Sequence, residues 1–149
     1  VTDKNFNHFP LQHTQSLVWN DMDALQHINN TVYFRYFEDV RVVMLEELKV
    51  FEYVKRHNIG PVVASTRCDF RAPLVYPDKI TTVSWVEDIQ EKRYTMKYEI
   101  HSHQQQRRVA VGEALVVYCD FTDGKSCAIP AETAKKLEHY LLPDGASHA

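Results

Sequence analysis

The run TVYFRYFEDVRVVMLEEL, Thr31 to Leu48, limits the fold more than any other stretch. Tyr33, Tyr36, Phe37, Val40, Met44 and Leu48 recur at three- and four-residue spacing, the period of one helical face. Glu38, Asp39, Arg41, Glu46 and Glu47 fill much of the other face. Val32, Phe34, Val42, Val43 and Leu45 widen the apolar stripe beyond what a surface helix needs, so the pattern predicts a helix largely covered by the rest of the chain. A helix of roughly 19 residues spans ~28 Å. Its end blurs through KVFEYVKRHN, and Gly60-Pro61 reads as the stop signal.

Strands surround this helix in the sequence. LQHTQSLVWN (Leu11 to Asn20) reads as one strand before it, and everything from Pro61 to Phe121 reads as strands after it. VVASTRCDFRA leads through PLVYPD to KITTVSWVEDI, which turns through Gln90 to Lys92. In RYTMKYEIHSH, Tyr94, Met96, Tyr98 and Ile100 alternate with polar neighbours, and Gln104 to Gln106 turn the chain into RRVAVGEALVVYCDF. Gly112 marks a bulge or a close approach in that last strand. PAETAKKLEHYLL ends the order as a short amphipathic helix with Pro130 suited to its first turn. Successive strands with short polar turns argue an antiparallel meander, and one long helix laid across one face buries that face. The expected class is α+β: a sheet of about five strands, one long helix and a short C-terminal helix, forming a single domain over 1–149. Long aromatic-rich strands at a sheet edge would invite a second copy.

Composition narrows the function classes. The formal net charge is −3, so no global field favours nucleic acid. No apolar run approaches the ~18 residues of a membrane span. VTDKNFNHFP lacks the basic end and apolar block of a leader. Cys68, Cys119 and Cys127 form no CxxC and suggest neither zinc nor disulfides, and the cytoplasm is the default compartment. His101 and His103 share a strand face, but no third metal ligand is evident.

The chemistry gathers just before the long helix, in DMDALQHINN, Asp21 to Asn30. The first N–H groups of a helix lack intrahelical partners and attract an anion or a polarised oxygen. Asn29, Asn30 or Thr31 is the N-cap, and Asp21 and Asp23 bring carboxylates to that end. Such an N–H can hold a developing oxyanion while a carboxylate activates water or attacks. No serine triad, metal motif or paired acid is apparent, so a leaving group that needs little protonation fits best. A thiol, with a pKa near ~8.5, is such a group, and a thioester is the matching acyl substrate. Ordinary capping and turn chemistry also accounts for the Asp/Asn/Thr cluster, and His27 reads equally as a loop or packing histidine. Arg67 and Arg71 share a strand face and are placed to meet a phosphate or to pair at the surface.

DMDALQHINNTVYFRYFEDVR resembles the start of the 4-hydroxybenzoyl-CoA thioesterase-like branch of the hotdog-fold family. Asp21-Met22-Asp23 matches its Asp-x-Asp; His27-Ile28-Asn29-Asn30 matches the loop; Tyr33, Tyr36-Phe37-Glu38 and Arg41 match the helix. FRAPLVYPDKI, Phe70 to Ile80, is similar to the family's strand-turn-strand, and the likeness in element order covers residues 10–121. The resemblance implies a curved antiparallel sheet wrapped round the central helix, active as a homodimer or homotetramer. It implies an acyl-CoA or acyl carrier protein thioester as substrate. Asp23 would be the catalytic carboxylate, with the backbone N–H near Asn30 polarising the carbonyl. His27 is a further candidate catalytic residue, and Asn29, Tyr33, Arg67 and Arg71 are candidates for binding the substrate. No metal and no separate cofactor would be required, since coenzyme A belongs to the substrate.

Gln26 stands where the family pattern usually has Gly, and a positive φ there would strain it. Partial desolvation is expected to raise the basicity of Asp23, since an ordinary aspartate (pKa ~3.9) is a poor base at neutral pH. Two alternatives remain open. One is an enoyl-thioester hydratase or dehydratase recruiting His27, and the other is a non-catalytic thioester-binding protein. Tyr36, Phe37 and Met44 are candidates for the acyl pocket or for simple core packing.

Overall fold

The computed structural model describes residues 4–143. The span 1–149 read as one domain therefore extends past the described residues at both ends, and the first three positions of the opening stretch read as no leader lie outside them. Strand β1 (Leu11–Ser16) precedes α1 (Asn30–Glu47) and α2 (Val50–His57). Strands β2 (Ile59–Phe70), β3 (Lys79–Glu87), β4 (Arg93–Ser102) and β5 (Arg107–Asp120) follow, then the two-residue β6 (Lys125–Ser126) and helix α3 (Ala131–Leu137). The sheet runs β1-β3-β4-β5-β2, all neighbours antiparallel, with β6 beside β5. This is the expected α+β hotdog arrangement, a curled antiparallel sheet around one long helix.

Helix α1 buries Val32, Tyr33, Tyr36, Phe37, Val40 and Met44, the stripe that its spacing predicts. Phe37 stacks on Tyr98 of β4, with ring centroids 4.5 Å apart. Gly112 is a close approach rather than a bulge: a Cβ there would stand 2.4 Å from the Phe37 ring. Tyr94, Met96, Tyr98 and Ile100 alternate into this core. On the opposite face, Phe9 from the N-terminal segment packs with Val83 and Trp85.

Several boundaries differ from the sequence reading. β1 stops at Ser16, and Trp19–Asp21 form a 3-10 turn instead of more strand. The helical run breaks once, at Lys49 (φ +56°), and ends at Asn58 (φ +55°). Gly60 and Pro61 therefore lie inside β2, where an edge position tolerates proline. The aromatic-rich β4 is central, and the sheet edges are β1 and the 12-residue β2. His101 and His103 have partners in the fold: His101 Nε2 lies 2.9 Å from Glu99, and His103 Nε2 lies 2.7 Å from Thr81 Oγ1. Among the described residues, no helix is long and apolar enough to cross a membrane.

Candidate functional site

The loop between the 3-10 turn and α1 folds back on itself. Met22 and Ile28 form an antiparallel bridge, Asp23 N–H donates to the His27 carbonyl (3.0 Å), and Gln26 N–H donates to the Asp23 carbonyl (2.9 Å). The tight turn places Gln26 at φ +63°. Gln26 thus adopts the backbone shape for which Gly is usually selected. The end of the loop is tied to its surroundings: Asn29 N–H donates to the Asp21 carbonyl and Ile28 N–H to the Leu74 carbonyl, both at 2.9 Å.

The two aspartates have different surroundings. The Asp21 carboxylate is paired with Arg35. Asp23 is half-buried and lines a cleft of about 450 Å³ together with Leu25, His27, Ile28, Asn30, Tyr33, Phe70, Arg71, Ala72 and Pro73. Its Oδ1 accepts from Leu25 N–H at 2.9 Å, and its Oδ2 lies 3.4 Å from Asn29 Nδ2.

Asn29 is the N-cap, so the choice that the sequence left open among three residues is resolved. Its Oδ1 accepts from Thr31 N–H, and its carbonyl accepts from Val32 N–H at 3.0 Å. The Asn30 N–H, facing the same end of the helix, has no hydrogen-bond partner among the described residues. An unused donor at a positive helix end beside a carboxylate is suited to hold developing negative charge on an acyl oxygen.

The fold brings Asp23, His27, Asn30, Tyr33 and Arg71 to one cleft; Asn29 and Arg67 do not line it. Tyr33 is buried, with its ring 4.8 Å from Phe70. Burial pushes its hydroxyl up to about 12, against a smaller opposing hydrogen bond with the Leu74 backbone, so it stands in the cleft as a neutral phenol. Cys68, on β2, is likewise pushed up to about 12, first by burial and then by Asp69, and is no thiolate nucleophile. Arg67 bonds to Asp69 (3.2 Å) and lines a second cleft, about 410 Å³, on the face turned away from α1. Arg71 lines both clefts and has no ion pair among the described residues. Tyr36, Phe37 and Met44 are core residues and do not reach the Asp23 cleft.

Sequence reasoning missed Leu25, Phe70, Ala72 and Pro73 as cleft walls. The FRAP segment carried a signal only through the resemblance. The Ile28–Leu74 bond that brings it to the loop joins residues 46 apart, beyond any local periodicity.

Comparison with known proteins places the chain in a family. Residues 17–137 match the family model of the thioesterase-like superfamily. The chain is 29% identical over 120 residues to the long-chain acyl-CoA thioesterase FadM of Escherichia coli, covering 80% of this chain and 91% of that protein. A crystal structure of YbaW, a probable thioesterase from Escherichia coli, superposes with a TM-score of 0.77 at 27% identity, covering 88% of this chain and 98% of that one. The SAV2348 protein of Staphylococcus aureus, solved in complex with CoA, shares the fold with a TM-score of 0.81 at 17% identity, covering 93% and 94% of the two chains. The chain belongs to the thioesterase-like superfamily and is a thioesterase of the 4-hydroxybenzoyl-CoA thioesterase-like kind.

The positive φ at Gln26 yields one prediction. An L-residue in this region costs about 1–2 kcal/mol, whereas glycine costs roughly 0.5–1 kcal/mol of extra chain entropy. Gln26→Gly is expected to raise stability by up to about 1 kcal/mol in urea denaturation while leaving thioester hydrolysis unchanged. A destabilised variant would contradict the strain.

Proposed function

We propose that the protein hydrolyses acyl-CoA thioesters at the Asp23 cleft. The observation that carries this reading is the pairing of the Asp23 carboxylate with the unpartnered Asn30 N–H at the start of α1. The long-chain acyl-CoA thioesterase among its relatives supports the substrate class. The thioester carbonyl oxygen accepts from the Asn30 N–H. A water molecule gives a proton to Asp23 as its oxygen bonds to the carbonyl carbon, and the oxyanion is held at the helix end. When the carbonyl re-forms, the C–S bond breaks and the thiolate leaves with the electron pair. The proton on Asp23 passes to that thiolate or to solvent, giving a free acid and CoA. Both Asp23 oxygens already accept hydrogen bonds, which orients the group as a base.

Arg71 is the cation we assign to a CoA phosphate, since Arg67 is engaged by Asp69 and lies outside the cleft. A homodimer pairing along β2 is the assembly we favour. Among the described residues, one side of this long strand is unpaired, with Val62 and Val63 exposed, and Phe70 at its end lines the cleft. A partner strand along β2 would pass beside the bound thioester.

Thiol release from acetyl-, octanoyl-, palmitoyl- and benzoyl-CoA tests the activity. Asp23→Asn is expected to lower turnover by about 10²- to 10⁴-fold with the fold intact. Asn30→Pro removes the N–H at a helix position that accepts proline, after a residue already extended (φ −60°, ψ 141°). It should lower kcat by about 10²- to 10³-fold, whereas Asn30→Ala, which keeps the N–H, should stay near wild type. Full activity in Asn30→Pro would remove the helix end from the mechanism.

For Arg71→Ala, KM should rise for CoA thioesters but not for N-acetylcysteamine thioesters, which carry no phosphate. Equal effects on both would deny the phosphate contact. Sedimentation equilibrium should return twice the 17.4 kDa chain mass, and Val63→Lys should shift it toward the monomer. A wild-type monomer would rule out the β2 pairing.

A further inference from the structure

We infer that Asn29 is a positioning residue that fastens the Asp23 carboxylate to the first turn of α1. This rests on the assignment of Asp23 as the base. Asn29 Oδ1 accepts from both Thr31 N–H (2.9 Å) and Thr31 Oγ1 (2.7 Å). Turning the amide over would set its NH₂ against the Thr31 N–H donor, so the side-chain orientation is fixed by the cap. Its Nδ2 is thereby aimed at Asp23 Oδ2, at 3.4 Å.

The other carboxylate oxygen is held by Leu25 N–H at 2.9 Å. One grip comes from the loop itself and the other from the helix. The helix-side grip belongs to the residue directly before Asn30, whose N–H takes the carbonyl oxygen. A single dipeptide therefore sets both the oxyanion donor and the place of the base, so their separation does not depend on the loop alone. Displacements of about 1 Å between such groups can lower rates 100-fold.

Capping and positioning are separable by substitution. Ser and Asp are both good N-caps, and neither supplies the amide donor. Asn29→Ser should melt close to wild type, with kcat lower by on the order of 10- to 100-fold and KM little changed. Asn29→Asp keeps the cap and sets a second carboxylate against Asp23. Its kcat should also fall, and the acidic limb of its kcat/KM profile should move to higher pH. The other charged or titratable groups around Asp23 are His27 on its own loop, Asp21 paired with Arg35, Tyr33 of α1 and Arg71 beyond β2; all are unchanged in these variants.

The measurement is kcat, KM, pH profile and melting temperature for Asn29→Ser, Asn29→Asp and Asp23→Asn, on whichever acyl-CoA of the panel wild type turns over fastest. Wild-type kcat and an unmoved acidic limb in both Asn29 variants, with Asp23→Asn inactive, would overturn the positioning role alone. An active Asp23→Asn would overturn the base assignment and this inference with it. Reduced kcat at near-native melting temperature, with the shifted limb in Asn29→Asp, is the result expected.

Discussion

Burial of the α1 stripe against the sheet is the constraint on which the remaining structure depends. Six side chains of this helix are buried, and among them Phe37 packs over the strand neighbours Tyr98 and Gly112. At about 1.5–3 kcal/mol for each large apolar side chain, the stripe contributes on the order of 10 kcal/mol before entropy is counted. That is several times the ~1–2 kcal/mol of strain held in the preceding turn. The core therefore fixes where the helix begins, and the turn accommodates itself to that point.

The proposed chemistry follows from this order of strengths. A helix end is useful as an anion site only if it is stationary, and the packing of Tyr33 and Phe37 makes it so. Leu74 then links the two halves of the cleft, taking the Ile28 N–H on one side and continuing into the Phe70–Pro73 wall on the other. The site is made where the helix start, the end of β2 and the loop after it converge.

Most of the fold was legible in the sequence because its elements have clean periods. The helix stripe and the Tyr94–Ile100 alternation both translate into buried positions, and Gly112 announced its close contact. The errors fall where backbone conformation is set by single residues. Lys49 adopts a left-handed conformation with nothing in its side chain to signal it, and Asn58, a residue that suits a left-handed helix end, is masked in the sequence by the stronger stop signal of Gly60-Pro61. The strand pattern of β1 runs past its true end because Val18 and Trp19 look like strand residues, although both are largely exposed. In the cleft, the sequence reached Asp23, His27, Asn30 and Tyr33 through one contiguous motif, which also carries Asn29 outside the cleft, and Arg71 as one of two candidate cations. It did not reach Phe70 or Pro73, which join the cleft through tertiary contact. Nor could it separate Arg67 from Arg71, since the distinction lies in Asp69 engaging the former.

The turn at Gln26 separates backbone shape from residue identity. A conformation usually secured by a side chain's absence is here secured by hydrogen bonds on either side of it and by the core beyond. The Gln26 side chain is exposed and does not line the cleft. What governs this position is thus the stability margin of the whole domain. A chain with a well-filled core can carry any of many side chains at this turn, and one with a weaker core is held to glycine.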